Sequence, residues 1–176
     1  SRAVAFAMAQ HAGQVRKGSG APYVTHTLRV AEVLRTEVAP AVHDPVVIVA
    51  AVLHDTVEDT PTTPDDLHAH FGPTVAAVVD ELTLDMTLTK WPRKLAMIER
   101  FRRGTSWRSR VVKLADRLDN LRDIPPDWSY NAQSGYLDES RRLLAAVREA
   151  PVEQAEYPGD QAANLPILHQ ALAWLM

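Results

Sequence analysis

The chain contains no cysteine, which excludes a disulfide framework, a thiolate metal site and a cysteine nucleophile. It also lacks any apolar run near the roughly 18 residues that span a bilayer. The longest such run, Pro45–Leu53, has the length of a core helix. No leader-like apolar region follows Arg2, so a cytoplasmic protein with no membrane partner is expected. Nor is there an excess of positive charge. The 19 Lys+Arg stand against 22 Asp+Glu for a net charge of −3, and the basic residues form no run, which argues against a nucleic-acid partner. Glycine is scarce at 7 residues, and strand-like alternation, internal repeats and low-complexity stretches are absent. What is present is 46% hydrophobic and 23% charged residues over 176 positions, the makeup of one globular domain spanning 1–176.

The 12 prolines fall where helices should begin or end. Val4, Ala7, Met8 and Ala12 form a helical stripe over Ser1–Val15, and RKGSGAP (16–22) breaks it. Leu28, Val30, Ala31 and Leu34 continue the spacing over Thr25–Val38. Asp44-Pro45 is a cap followed by proline at the first helical position, and VVIVAAVL after it is apolar on every side, as in a buried helix. Thr63-Pro64-Asp65-Asp66 is a capping-box variant, Gly72 ends that helix, and Pro73–Leu82 forms the next. Lys90–Arg103 and Ser106–Asp123 follow, joined at Gly104, with Pro125-Pro126 as a stop. Ser129–Arg148 and roughly Gln161–Leu175 complete an all-α bundle of about eight to nine helices. The last of these, LPILHQALAWLM, either closes the core or buries against a second copy, which leaves a homodimer open.

Three segments carry chemistry. In LHDTVEDT (53–60), a buried helix ends by presenting His54, Asp55, Glu58 and Asp59. His54 and Glu58 are four apart, as are Asp55 and Asp59, so the pairs lie on adjoining lines of a helix. Acidic groups at a helix C-terminus oppose its dipole, and ionised carboxylates there need a positive partner. Imidazole with carboxylate suits a first-row divalent cation; the alternative is a polar fringe. In VVKLADRLDNLRD (111–123), Lys113, Asp116, Arg117 and Asn120 share a face opposite Val111, Leu114, Leu118 and Leu121. Asp116 could complete a metal site, or the face could simply be solvated. In RKGSGAPYVTH (16–26), Arg16 and Lys17 at a glycine-containing break suit phosphate, Tyr23 can pack or stack on a base, and His26 opens a helix. Together they offer two histidines and two aspartates, with Glu58 and Asp59 left over for acid–base work on a water.

These words together resemble the HD-domain phosphohydrolases, and within them the (p)ppGpp hydrolase domain of the RelA/SpoT-homologue superfamily. RKGSGAPYVTH, AAVLHDTVEDT (50–60), FGPTVAAVVDELT (71–83) and VVKLADRLDNLRD occur in the family's order across most of residues 2–123. LTLDMTLTKWPRK (82–94) and DIPPDWS (123–129) further resemble the small alarmone hydrolases, which agrees with a chain too short to add a synthetase domain.

The resemblance implies hydrolysis of a nucleoside 3′-pyrophosphate, releasing pyrophosphate and leaving GDP or GTP. It assigns His26, His54, Asp55 and Asp116 as ligands of one Mn2+, and Glu58 and Asp59 as the acidic pair at the attacking water. Arg16, Lys17, Tyr23, Lys90, Lys94, Lys113, Asn120, Arg122 and Tyr136 fall at positions around the nucleotide. On the helical wheel Arg122 instead faces the apolar side. Three positions depart from the pattern: Thr27 replaces a usual proline, Asp119 stands where histidine or tyrosine is common, and Ala132 where the small hydrolases tend to have arginine. An adenine alarmone, another nucleotide or NADPH remains an alternative substrate, and a non-catalytic binder would have no need of Glu58.

Overall fold

Proline and capping side chains set most helix boundaries in the computed structural model, which describes residues 1–37 and 44–150. The expected helix Gln161–Leu175, with its proposed dimer surface, lies outside them. Among the described residues there are helices α1 (Arg2–Gln10), α2 (Val24–Thr36), α3 (Pro45–Leu53), α5 (Pro64–Phe71), α6 (Pro73–Leu82), α7 (Lys90–Arg103), α8 (Trp107–Arg122) and α9 (Tyr130–Glu149). A single helical turn, α4 (Thr56–Asp59), follows α3, and no strand forms among these residues. The fold is all-α, as the sequence implies. Asp44 caps α3 by accepting from the Val46 amide at 2.8 Å. Thr63 and Asp66 form a reciprocal capping box on α5. Gly72, at φ 86°, ends α5 and leads into Pro73 of α6.

α3 and α8 form the centre. α3 buries Val47, Ala50, Ala51, Val52 and Leu53 and packs against α1, α2, α6 and α8. From α8, Val111, Leu114, Ala115 and Leu118 are fully buried, and α2 closes over the same helix with Val30 and Leu34. Truncating such a leucine costs about 2–5 kcal/mol, so the placement of α2, α3 and α8 is held by apolar packing before any polar group is counted.

One expectation is corrected and one alternative is closed. The first helix ends at Gln10, short of Val15. Gly13 takes a left-handed φ of 79°, and the His11 side chain turns inward to meet Gln14 at 2.8 Å. Val15 instead makes an isolated antiparallel bridge to Pro22. Of the two readings open for the polar face of α8, the solvated one does not hold: Asp116 and Arg117 are buried, as is the neighbouring Asp119. Arg117 donates to Glu139 Oε1 at 3.1 Å and to Ser140 Oγ at 3.2 Å, and lies 4.6 Å over the Tyr136 ring. Lys94 of α7 also donates to Glu139. One buried carboxylate therefore ties α7, α8 and α9 together.

Replacing Glu139 by alanine leaves the buried Arg117 charge unpaired, for an expected loss of about 3–5 kcal/mol in chemical denaturation. Burial pushes the Glu139 carboxyl up, but Arg117 and Lys94 outweigh it and hold the group below the ordinary glutamate value. Its contribution is therefore full above the unfolded pKa and is lost as pH falls through the lower folded value. Glu139→Gln should remove this part of the acid sensitivity.

Candidate active site

α3 gives way to α4 through His54 and Asp55, both with right-handed helical dihedrals (φ −58°, ψ −31° and φ −96°, ψ −3°). Thr56 Oγ1 donates to the Leu53 carbonyl at 2.7 Å at this junction. The Asp59 amide donates to the Asp55 carbonyl at 2.9 Å, so Asp55 and Asp59 keep the helical spacing expected of them, while His54 stands just ahead of this turn. His26 comes from the first turn of α2, and Asp116 from the middle of α8.

These elements bring His26, His54 and Asp116 together, with one donor atom of each within 4.8 Å of the others. His26 Nε2 is 3.3 Å and His54 Nε2 is 3.7 Å from Asp116 Oδ1. Asp55 closes the group, its Oδ2 lying 3.1 Å from His54 Nε2 and 3.6 Å from His26 Nε2.

The donor set fits a cation. His54 Nδ1 lies 2.8 Å from the Ala51 carbonyl and His26 Nδ1 lies 2.7 Å from Asp119 Oδ2. A carbonyl and a carboxylate only accept, so both Nδ1 atoms carry the hydrogen. Both Nε2 atoms are left facing the carboxylates, buried and without a hydrogen-bond partner. Buried polar atoms in that condition call for an occupant, and two imidazole nitrogens with carboxylate oxygens suit a first-row divalent metal. Electrostatics agree. Burial disfavours a charged His54, yet Asp55 and Asp116 outweigh it and raise its pKa well above 6.5. Burial alone would raise Asp116, but Lys113, His26 and His54 hold it well below the carboxylate range. The site demands positive charge, which a proton or a metal supplies.

The acidic pair flanks this centre. Glu58 Oε2 accepts the Leu84 amide at 3.2 Å, and burial followed by the Asp55 charge raises its pKa. The same two causes raise Asp59, whose carbonyl accepts from Gln14 Nε2 at 2.7 Å. Tyr23 donates its hydroxyl to Asp55 Oδ2 at 2.7 Å while its ring packs against His11 and Arg16. Lys113 donates to Asp116 Oδ2 at 2.9 Å, and Asn120 to Asp116 Oδ1 at 2.5 Å.

The Val15–Pro22 bridge folds the 16–21 loop over the end of α8. There Arg16 donates to Asn120 Oδ1 and Asp123 Oδ2, each at 3.0 Å. Gly18 adopts φ 93° and would place a Cβ only 3.1 Å from Pro125, so this close approach favours glycine. Lys17 and Lys90 are exposed. Lys94 is engaged with Glu139, and Tyr136 lies beneath Arg117 and edge-on to Trp128. Arg122 is directed to Glu37, just past α2, with two 2.8 Å bonds, rather than to the His–Asp centre. Thr27 stays within α2, donating to the Val24 carbonyl at 3.0 Å. Arg29, Asp123 and Gln14 join the polar network without having stood out in the sequence; Arg29, three residues after His26, offered only its helical spacing as a signal.

An all-helical scaffold that brings together His26, His54, Asp55 and Asp116 defines a class of helical domain suited to hold a divalent metal. The chain belongs to the HD-domain family, whose model matches residues 3–147. It is 40% identical over 148 residues to guanosine-3′,5′-bis(diphosphate) 3′-pyrophosphohydrolase MESH1 of Homo sapiens, with 81% of each chain covered. Identity to the Drosophila melanogaster protein of the same name is 36% over the same length and coverage. A solved structure, described as a metazoan ortholog of SpoT that hydrolyzes ppGpp, superposes with a TM-score of 0.83 at 30% identity. That match covers 98% of this chain and 90% of the other. No described helix is long and apolar enough to cross a membrane.

Divalent metal added to chelator-treated protein should raise its melting temperature, by the equivalent of about 2.7 kcal/mol at a hundredfold excess over Kd. His54→Ala and Asp116→Ala should show no such shift in the same thermal scan.

Proposed function

We propose that this chain is a metal-dependent 3′-pyrophosphohydrolase of guanosine alarmones, converting (p)ppGpp and water to GDP or GTP and pyrophosphate. The observation that carries the reading is the pair of buried, unpartnered imidazole nitrogens facing two carboxylates. They occur in a chain 40% identical to proteins named for this reaction. The proposal takes Mn2+ as the ion, 1–176 as one hydrolase domain and the cytoplasm as the compartment.

His26, His54, Asp55 and Asp116 would hold the ion. When bound, it supplies Lewis-acid polarisation and acidifies water. Glu58 and Asp59 take up and return the proton. Burial raises the pKa of both carboxyls, which favours them as bases over fully exposed carboxylates. The Leu84 amide occupies Glu58 Oε2, leaving Oε1 to accept the proton of the attacking water. That water attacks the phosphorus bonded to O3′. The P–O3′ bond breaks, O3′ leaves with a proton, and pyrophosphate is released.

Arg16 and Lys113 are held against carboxylates and line the site, whereas Lys17 and Lys90 extend freely towards solvent and meet the outer phosphates. Asn120 addresses the ribose, and the purine rests against the Arg16–Tyr23 region. Lys94, Tyr136 and Arg122 are engaged within the protein and have no direct substrate contact in this reading.

The test is pyrophosphate release from ppGpp with Mn2+, with ppApp and NADPH in parallel. Asp55→Ala should abolish release, and Glu58→Gln should lower kcat by about 10²–10⁴. Full turnover by Glu58→Gln would remove it from the mechanism. Metal-loaded protein that releases nothing from either alarmone would move the substrate to another phosphate ester.

A further inference from the structure

Asp119 replaces the histidine or tyrosine common at its position, and in the sequence it looks like added negative charge beside a phosphate site. The structure gives that charge a different destination. Asp119 is 3% exposed, and its Oδ2 accepts from His26 Nδ1 at 2.7 Å. Arg29 of α2 forks over it, with Nε to Oδ1 at 2.8 Å and Nη2 to Oδ2 at 2.9 Å. A bidentate guanidinium of this kind fixes the carboxylate in orientation as well as offsetting its charge.

The same Arg29 Nη2 also donates to Asp123 Oδ2 at 3.0 Å. Asp123 Oδ2 receives Arg16 Nη2 at 3.0 Å as well, and Arg16 Nη2 continues to Asn120 Oδ1 at 3.0 Å. Asn120 then donates to Asp116 Oδ1 at 2.5 Å. The bonds run without a gap from one candidate metal ligand, His26, to another, Asp116, and pass through the cation placed at the nucleotide. Asp116, Asp119 and Asn120 of α8 and Asp123 at its C-terminal cap recur at three- and four-residue spacing, and Arg29 stands three residues beyond His26 on α2. The network is therefore built on the interface of two helices already fixed by the core.

A ring nitrogen binds a metal only when it carries no hydrogen and the ring is correctly turned. The acceptor on the other ring nitrogen decides both. His54 has the Ala51 carbonyl for this purpose, whereas His26 depends on a side chain. We propose that Asp119, gripped by Arg29, is the positioning residue that presents His26 Nε2 to the metal, and that Arg29 links this ligand to Arg16 through Asp123. This rests on the metal site of the proposed function, but not on the identity of its substrate.

Calorimetric titration of chelator-treated protein with Mn2+ tests it. Asp119→Asn removes the charge and offers an amide that can donate to Nδ1, so its Mn2+ affinity should fall about 10–100-fold. Nitrogen-15 spectra of the metal-free protein should show the His26 hydrogen on Nδ1 in the wild type and its loss from that position in the variant. Asp123→Asn should keep the wild-type Mn2+ affinity and raise KM for the nucleotide. Arg29→Lys, which retains charge without the fork, should weaken Mn2+ part-way, and it replaces Asp119→Asn should that variant fail to fold. Wild-type Mn2+ affinity in Asp119→Asn, or in Arg29→Lys where it stands in, would overturn the proposal. Wild-type protein that binds Mn2+ but releases no pyrophosphate would refute the alarmone reading and leave this assignment standing.

Discussion

Two imidazoles and two carboxylates meet where α2, α8 and the junction of α3 with α4 come together. A protein interior accepts such a group only when charges offset and polar atoms find partners. Much of the surrounding structure answers that demand. Tyr23 donates to Asp55, while Lys113 and Asn120 donate to Asp116. Ala51 and Asp119 accept from the two Nδ1 atoms. The two Nε2 positions are what remains, and both face Asp55 and Asp116. Apolar packing makes this convergence unavoidable. Val111, Leu114 and Leu118 anchor α8 in the core, so its acidic stripe is carried inward against α2.

Helix boundaries were legible because their causes are local. Asp44-Pro45, Thr63 through Asp66 and Gly72 each act within one turn, and each sits where its chemistry indicated. The errors arise where two local signals compete or where the cause is distant. Apolar spacing continued through Ala12 and masked Gly13, whose left-handed conformation ends α1 early. α3 stops at Leu53 and the helix resumes for one turn at Thr56, and nothing in the spacing of the acidic residues reports that interruption. The surroundings of Arg117 stayed open between a solvated face and a site because its partner Glu139 lies on another helix. The residue types of the candidate site were readable in the sequence; their mutual distances, and the removal of Arg122 towards Glu37, required the fold.

Charge balance then bears on how a polyanionic substrate is received. Asp55, Glu58, Asp59 and Asp116 form an acidic centre that repels phosphate unless a cation occupies it. Two nearby cations are already committed, Lys113 to Asp116 and Arg16 to Asp123. Lys17 and Lys90 are exposed, and in the proposed reading they meet the outer phosphates. On that reading attraction acts first through these two lysines, and the inner cations hold geometry more than they add net charge.

Asp119 does not upset that balance. Its charge is met at hydrogen-bond distance by Arg29, and the pair is close to neutral when viewed from the phosphate side. The departure at this position therefore bears on the orientation of His26 rather than on phosphate repulsion. Ala132 lies exposed in the first turn of α9 and adds no charge there, and in the proposed reading the outer phosphates are left to the exposed Lys17 and Lys90. Selectivity among alarmones that differ by one 5′-phosphate should then respond to salt more steeply than catalysis does, because exposed charges are screened over about 10 Å at 0.1 M ionic strength while the buried centre is not.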